Sequence, residues 1–187
     1  MKHDWQAEVK ARIALLEEAV ALDPQVERAA ELLKKAVASG HKVMVFGNGG
    51  SAADAHHFVA ELVGRYKRDR RGVPALALTS DPSIVSAVSN DYGFEQVFAR
   101  QVAAYGNPGD AAVAMSTSGA SINVLSACEE ARHRGMTVIA LIGVKPSKLQ
   151  KTADVCIAVP SDDTALIQEI HMAILHTWAR LIEEEIS

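Results

Sequence analysis

The sequence of 187 residues is poor in cysteine, with two residues that stand far apart and outside any CxxC spacing. Cys128 falls in a helical pattern and Cys156 in an apolar run, so we expect both to be buried free thiols. This usage favours a reducing compartment. The first six residues are polar and lack the apolar segment of a secretory signal peptide. We therefore predict a cytoplasmic protein.

Long apolar runs and a basic excess are also missing. No apolar run reaches the roughly 18 to 20 residues that a membrane helix needs, so we expect no membrane contact. The formal net charge is -4 at pH 7, which argues against nucleic acid as the main ligand. The longest basic run, Lys67 to Arg71, is interrupted by Asp69, and we interpret it as a solvated surface segment.

The sequence does contain enough apolar residues, 49% against 22% charged, for one compact domain over residues 1–187. Five short apolar runs that do not alternate with polar residues predict buried strands, at 42–46, 75–78, 111–115, 137–142 and 155–159. Helical patterns separate or follow them, at 52–66, 83–89, 96–105, 121–134, 147–152 and 164–186. Strands that alternate with helices indicate a parallel sheet wrapped by helices. We predict an α/β, doubly wound, five-stranded parallel sheet with a long C-terminal helix.

Two helical patterns precede the first strand, over 4–20 and 26–37, with Pro24 between them and Gly40 as a plausible C-cap. A minimal βαβ unit has no place for them. An amphipathic hairpin of this kind either serves as an oligomer interface or covers the sheet. We expect residues 1–40 to serve in oligomerisation.

Two unusual loops follow predicted strands, and both open a helix. The first, Gly47–Ser51, has glycines that let a ligand approach the backbone and a helix N-terminus that favours an anion. A plain tight turn explains this loop equally well. The second, 116–121, carries four hydroxyls and a glycine, whereas a helix cap needs only one hydroxyl, so we favour a phosphate cradle. The polar segments 79–82 and 90–93 face the same cleft or are simple turns.

The helix after the glycine loop carries His57 and Glu61 on one face, a pair that suits a divalent metal such as zinc. For an isolated HxxxE pair, an ordinary helix-surface contact is the commoner explanation. His56 points about 100° away. The last helix carries Gln168 and His176 about 12 Å apart along its axis. A single metal site that includes both needs side chains that reach toward each other, or two chains.

Four stretches in order resemble the phosphoheptose isomerases, which share the sugar isomerase (SIS) fold. They are GNGGSAADAHHFVAEL (47–62), SNDYGFEQVFARQV (89–102), STSGAS (116–121) and IQEIHMAILH (167–176). The similarity covers nearly the whole chain. It implies a flavodoxin-like SIS fold and homotetramers with active sites at subunit interfaces.

The resemblance also implies roles for individual residues. Glu61 would be the general base and His176 the general acid. Zinc would be held by His57, Glu61, Gln168 and His176. The substrate would be bound by Asn48, Gly49, Gly50, Glu61, Asn90, Asp91, Ser116, Thr117, Ser118, Ser121 and Gln168, with the serine loop on the phosphate. The implied reaction converts D-sedoheptulose 7-phosphate to D-glycero-D-manno-heptose 7-phosphate through an enediol.

The sequence departs from the family pattern at Ala120, at Leu166 and in the turn 143–147, and each departure leaves the proposed ligands in place. Two alternatives stay open. Some SIS proteins are not enzymes, including one that binds the replication initiator DnaA and others that sense sugar phosphates. The initiator-binding relatives lack the acidic residue at the Glu61 position, so Glu61 favours an enzyme. The other alternative is a SIS isomerase of another phosphosugar, such as an amino sugar.

Overall fold

The computed structural model describes residues 4–186. The predicted domain bounds 1–187 therefore include residues 1–3 and 187, which lie outside the described residues. Within residues 4–186 the chain forms one five-stranded sheet in which every paired strand is parallel, in the order β2-β1-β3-β4-β5. The strands are β1 (Val43–Gly47), β2 (Ala75–Ala77), β3 (Ala111–Ser116), β4 (Thr137–Gly143) and β5 (Val155–Val159). The predicted α/β fold class and flavodoxin-like order are confirmed.

Helices cover both faces of the sheet. One face packs against α1 (Trp5–Ala19), α2 (Asp23–Ala38), α3 (Gly50–Val63) and α8 (Thr164–Ile186). The other face packs against α5 (Ala99–Tyr105), α6 (Ile122–His133) and α7 (Leu149–Thr152). Residues of β1 and β3 alternate between the two cores and are all buried, which is why these strands are apolar throughout. The edge strands β2 and β5 each have one neighbour and are partly exposed, so burial on both faces is wrong for them.

Helix α4 (Pro82–Tyr92) is longer than predicted and includes Asn90 and Asp91. Asp81 caps its start by accepting the backbone N–H groups of Ser83 and Ile84. Gly93 ends it with a φ of +89°, a conformation that suits glycine. The prediction of a polar loop at residues 90–93 was therefore wrong for its first three residues.

The two helices of the N-terminal hairpin differ in what they cover. Helix α2 covers the sheet, and the buried Trp178 of α8 fixes it by donating its indole N–H to the carbonyl oxygen of Val26 at 2.9 Å. Helix α1 buries Leu15 but leaves exposed most of an apolar stripe that we define as Trp5, Val9, Ile13, Leu16 and Val20, with Leu16 52% exposed and Val20, just after the helix, 72% exposed. The stripe of α1 therefore faces away from the sheet.

Both cysteines are free, as predicted. Cys128 is fully buried, and burial raises its thiol pKa to about 12. Cys156 is only half-buried on edge strand β5, so the expectation of full burial was wrong for it, although burial still raises its pKa to about 11. Both thiols are therefore protonated at neutral pH and are poor nucleophiles.

Candidate active site

The glycine loop lies where the strand order reverses, between β1 and β3, the place where ligands bind in open α/β sheets. Gly47 pairs with Met115 of β3, and a Cβ atom at Gly47 would lie 2.8 Å from the Met115 carbonyl oxygen. A Cβ atom at Gly50 would lie 2.5 Å from Nε2 of Gln168. Gly47 is therefore required by the close approach of β3, and the lack of a Cβ atom at Gly50 leaves room for the Gln168 amide. A plain tight turn would need neither.

The serine loop faces the glycine loop across a cavity of about 240 Å³. The cavity is lined by Asn48, Gly49, Gly50, Ser51, Met115, Ser116, Thr117, Ser118, Ser121, Thr164 and Gln168. Eight of these are predicted substrate residues, so the structure brings most of that set together. Ser51 and Thr164 are polar lining residues that sequence reasoning missed.

Hydroxyls and helix N-termini, rather than charged side chains, define the chemistry of this cavity. Ser121 stands at the N-cap of α6 but makes no side-chain capping bond. Its hydroxyl instead lies 3.0 Å from that of Ser116, which is also 3.5 Å from the Ser118 hydroxyl. Helices α3 and α6 both begin at the cavity, and neither N-terminus has a side-chain cap from its N-cap residue. This combination suits a phosphate monoester.

The predicted acid and base, together with His57, form a second cluster on the same pair of helices. The Nε2 atoms of His57 and His176 are 3.0 Å apart, and Nε2 of His57 is 3.3 Å from a carboxylate oxygen of Glu61. The ring of Tyr66 stacks on His176 with a centroid distance of 5.7 Å. The structure thus brings together Glu61 and His176, which come from helices distant in sequence.

Gln168 stands apart from this cluster. Its carboxamide lies against Gly50, whereas His176 lies against His57. Helices α3 and α8 therefore run side by side in the same direction, with the hydroxyl cavity about two helical turns from the histidines. Within residues 4–186, no three histidine, cysteine, aspartate or glutamate side chains are arranged to hold a metal ion together.

Comparison with known proteins decides the family. The SIS domain profile matches residues 4–143. The phosphoheptose isomerase of Campylobacter jejuni is 46% identical over 98% of this chain and 97% of that protein. That of Akkermansia muciniphila is 50% identical over 86% and 85%. The chain belongs to the phosphoheptose isomerase family.

A solved structure from the same family agrees with this assignment. The phosphoheptose isomerase of Francisella tularensis superposes with a TM-score of 0.92 at 40% identity, over 96% of each chain. The fold of this isomerase, including its N-terminal hairpin and long last helix, is therefore the fold of the family.

Asn123 is a residue of the isomerase that sequence reasoning missed. Its amide group and that of Asn48 exchange two hydrogen bonds, of 2.9 and 2.8 Å. Asn123 is buried at the start of α6 and also accepts the backbone N–H of Val124. This pair fixes the glycine loop against α6. The only local signal was an asparagine just after the serine loop, which ordinary helix propensity also explains.

Asn90 and Asp91 do not line the cavity. Both are exposed at the end of α4, where the Asn90 amide donates to the Asp91 carboxylate at 2.8 Å. Their predicted contact with substrate stays a prediction. His56, which the helix period directs away from the metal pair, indeed bonds elsewhere, with Nε2 2.7 Å from the Thr79 hydroxyl.

Two further ionisable groups of the isomerase lie on the helices that carry the site. Asp54 lies one turn before His57 on α3, and burial raises the pKa of its carboxyl group. His171 is fully buried on α8, with Nε2 3.3 Å from the carbonyl oxygen of Ile142 at the end of β4. Burial lowers the pKa of His171 to about 4, so its ring is neutral at physiological pH.

No helix within residues 4–186 is both long enough and apolar enough to span a membrane.

Proposed function

We propose that this isomerase interconverts D-sedoheptulose 7-phosphate and D-glycero-D-manno-heptose 7-phosphate. The observation that carries the proposal is the pairing of α3 and α8. It places a hydroxyl-lined cavity at one end and an adjacent carboxylate and imidazole about two turns away. A ketose phosphate matches this arrangement, because its phosphate and its reacting carbons lie at opposite ends of the molecule.

The cavity would bind the phosphate. The hydroxyls of Ser116, Ser118 and Ser121 would replace water around the phosphate oxygens, and the N-termini of α3 and α6 favour negative charge. Asn48, held by Asn123, would bind sugar hydroxyls beside the phosphate. Fixing the far end in this way positions the reacting carbons, which accelerates the reaction by lowering its entropic cost.

Glu61 and His176 would move the protons. In the ketose-to-aldose direction, the Glu61 carboxylate takes a proton from C1 while a ring N–H of His176 gives one to the oxygen on C2, which yields the enediol. His176 then takes the proton of the C1 hydroxyl, and Glu61 returns its proton to C2. Both side chains lie against His57, so they act on neighbouring atoms of one ligand.

We also propose that zinc is bound by His57, Glu61, His176 and Gln168. Two imidazoles and a carboxylate are donors that zinc prefers. Nε2 of His57 lies 3.0 Å from Nε2 of His176 and 3.3 Å from a Glu61 oxygen, so these three donors are neighbours that would hold the ion. Bound zinc would act as a Lewis acid on the substrate oxygens. Gln168 is two turns away on the same helix, so a ligand from a second chain fits the set better than an inward swing.

The oligomer implied by such sharing would be a homotetramer. Helix α1 exposes Trp5, Ile13 and Leu16, and Val20 is exposed directly after it. Beside them, α1, α2 and α8 border an open apolar groove of about 480 Å³. Exposed apolar surface of this extent supports association with further copies. A neighbouring copy is also the proposed source of contacts from Asn90 and Asp91. The cytoplasm, where free thiols persist, remains the proposed location.

Incubation of the pure protein with sedoheptulose 7-phosphate, followed by NMR, tests the function. We expect the heptose 7-phosphate aldose to form, to stop forming after chelation, and to form again when zinc returns. Glucosamine 6-phosphate in a parallel reaction tests the amino-sugar alternative. Conversion of that sugar but not the heptulose would contradict the substrate, and turnover that survives complete metal removal would contradict the zinc proposal. Absence of conversion with any sugar would favour a non-enzymatic role such as binding the initiator DnaA.

A further inference from the structure

The segment that follows α3 is tied to the last helix by one buried carboxylate. Glu183 on α8 is 2% exposed. Its oxygens accept three consecutive backbone N–H groups, those of Tyr66 at 2.9 Å, Lys67 at 2.9 Å and Arg68 at 2.8 Å. Three successive amides that converge on one carboxylate fix the backbone of this segment as well as its position.

Arg70 completes the attachment from the other side. Its side chain is 1% exposed and its Nε lies 3.6 Å from a Glu183 oxygen. The guanidinium also donates to the carbonyl oxygens of Glu61 at 2.6 Å, Leu62 at 2.7 Å and Gly64 at 3.0 Å, and so satisfies the open C-terminal end of α3. Its carbonyl contacts include the backbone of the proposed base.

The interpretation of residues 67–71 as a solvated surface segment was therefore wrong at Arg70, although Lys67, Arg68, Asp69 and Arg71 are exposed. Burial raises the pKa of Glu183, but the three backbone N–H groups and Arg70 outweigh it and hold that pKa below its usual value. The carboxylate is thus ionised whenever the protein is folded at neutral pH.

The same segment reaches the proposed acid. Tyr66, the first residue whose amide Glu183 binds, stacks its ring on His176 with centroids 5.7 Å apart and planes 28° apart. His176 stands about two turns before Glu183 on α8. One carboxylate therefore fixes a loop that packs against the reacting histidine of the same helix.

We propose that Glu183 is a positioning residue for the isomerase reaction. It holds Tyr66 against His176, and through Arg70 it fixes the α3 backbone at Glu61, so that acid and base keep their spacing. The inference rests on the roles given to Glu61 and His176 under the proposed function. Glu183 is too deeply buried to touch the substrate itself.

Glu183→Gln tests this role, with Glu184→Gln as the matched control. Glu184 is the next residue, is exposed, and pairs with Arg180 at 2.9 Å. Glu183→Gln turns an NH₂ group toward backbone N–H donors, so the segment must shift. We expect kcat to fall about 10- to 100-fold with KM within about twofold, since misplacement of reacting groups by about 1 Å costs this much. Glu184→Gln should match the wild type in both.

A readout in metal-free protein separates positioning from activity. The ring protons of His176 feel the ring current of Tyr66, so their NMR shifts report the stacking. We expect Glu183→Gln to move these shifts in the same direction as Tyr66→Leu, which removes the ring but keeps the Glu183 bonds to the backbone. The kcat losses of the two changes should add only in part in the double variant, since both disturb the contact of Tyr66 with His176 while Glu183→Gln also weakens the contact with Arg70.

The outcomes are distinct. A folded Glu183→Gln protein with wild-type kcat and unmoved His176 resonances would overturn the proposal, even if it melts earlier. If Glu183→Gln does not fold, the Tyr66→Leu variant tests the proposal instead. A wild-type kcat in Tyr66→Leu would equally overturn the proposal. Absence of isomerase activity in the wild type would contradict the proposed function alone, because the NMR comparison needs no turnover.

Discussion

At the scale of single residues, His171 makes stability depend on pH. Its folded-state pKa of about 4 lies below the usual 6.5 because it is buried. Between pH 6.5 and pH 4, His171 therefore binds a proton in the unfolded chain but not in the folded chain. The stabilisation is complete above pH 6.5 and is lost as pH falls toward 4, by an amount on the order of 3 kcal/mol. Urea unfolding of wild type and His171→Leu across this range should show the wild type losing more free energy of unfolding.

The comparison has an internal control, since above pH 7 the difference between the two proteins should not vary with pH. Parallel stability curves for the wild type and His171→Leu down to pH 4 would contradict the assignment of a neutral buried ring.

Single residues also show where prediction from the sequence ends. The serine loop was identifiable because it has more hydroxyls than a helix cap needs, whereas the glycine loop by itself also fitted a plain turn. Arg70 and Glu183 could not be identified from the sequence, since a basic run and a glutamate near a C-terminus are ordinary on a solvated surface. Their contact joins positions 113 residues apart, and only the packing of α3 against α8 creates it.

At the scale of elements, the approach of α8 to the start of α3 gives a second prediction. A Cβ atom at Gly50 would lie 2.5 Å from the Gln168 amide, which is the movable end of a side chain. Gly50→Ala should therefore displace that amide while α3 stays intact, because alanine favours a helix by up to about 1 kcal/mol over glycine. We expect KM for the sugar phosphate to rise about tenfold without a lower melting temperature.

Ala53→Ser, on the exposed face of the same helix, is the control for Gly50→Ala and should leave KM unchanged. An unaltered KM in Gly50→Ala would mean that Gln168 does not bind the substrate.

Helices and strands were largely predictable because their signals are local. The five strands lie within one or two residues of the apolar runs, and the central ones are buried on both faces as predicted. The end of α4 was missed because Asn90 and Asp91 favour turns, whereas Gly93 sets the actual boundary. The sequence also could not show that the apolar stripe of α1 faces away from the sheet. Periodicity shows that a helix has an apolar face but not what covers that face.

At the scale of the whole molecule, the exposed stripe of α1 predicts the assembly. Leu16 and Val20 are 52% and 72% exposed beside the groove between α1 and α8. Light scattering after size exclusion should give a tetramer for the wild type and a smaller species for Leu16→Glu, since burial of a charge at an interface is costly. Gln25→Glu adds the same charge at an exposed position of α2 and should remain tetrameric. A monomeric wild type would contradict the proposal.

The central claim is that Glu61 and His176, brought together by α3 and α8, move a proton between C1 and C2 of a ketose phosphate. The most direct measurement follows deuterium uptake at these two carbons of sedoheptulose 7-phosphate by NMR in D₂O. Wild-type protein should exchange solvent deuterium into the sugar as aldose forms. Folded Glu61→Gln protein should show neither exchange nor product. Exchange by Glu61→Gln at the wild-type rate would contradict the account.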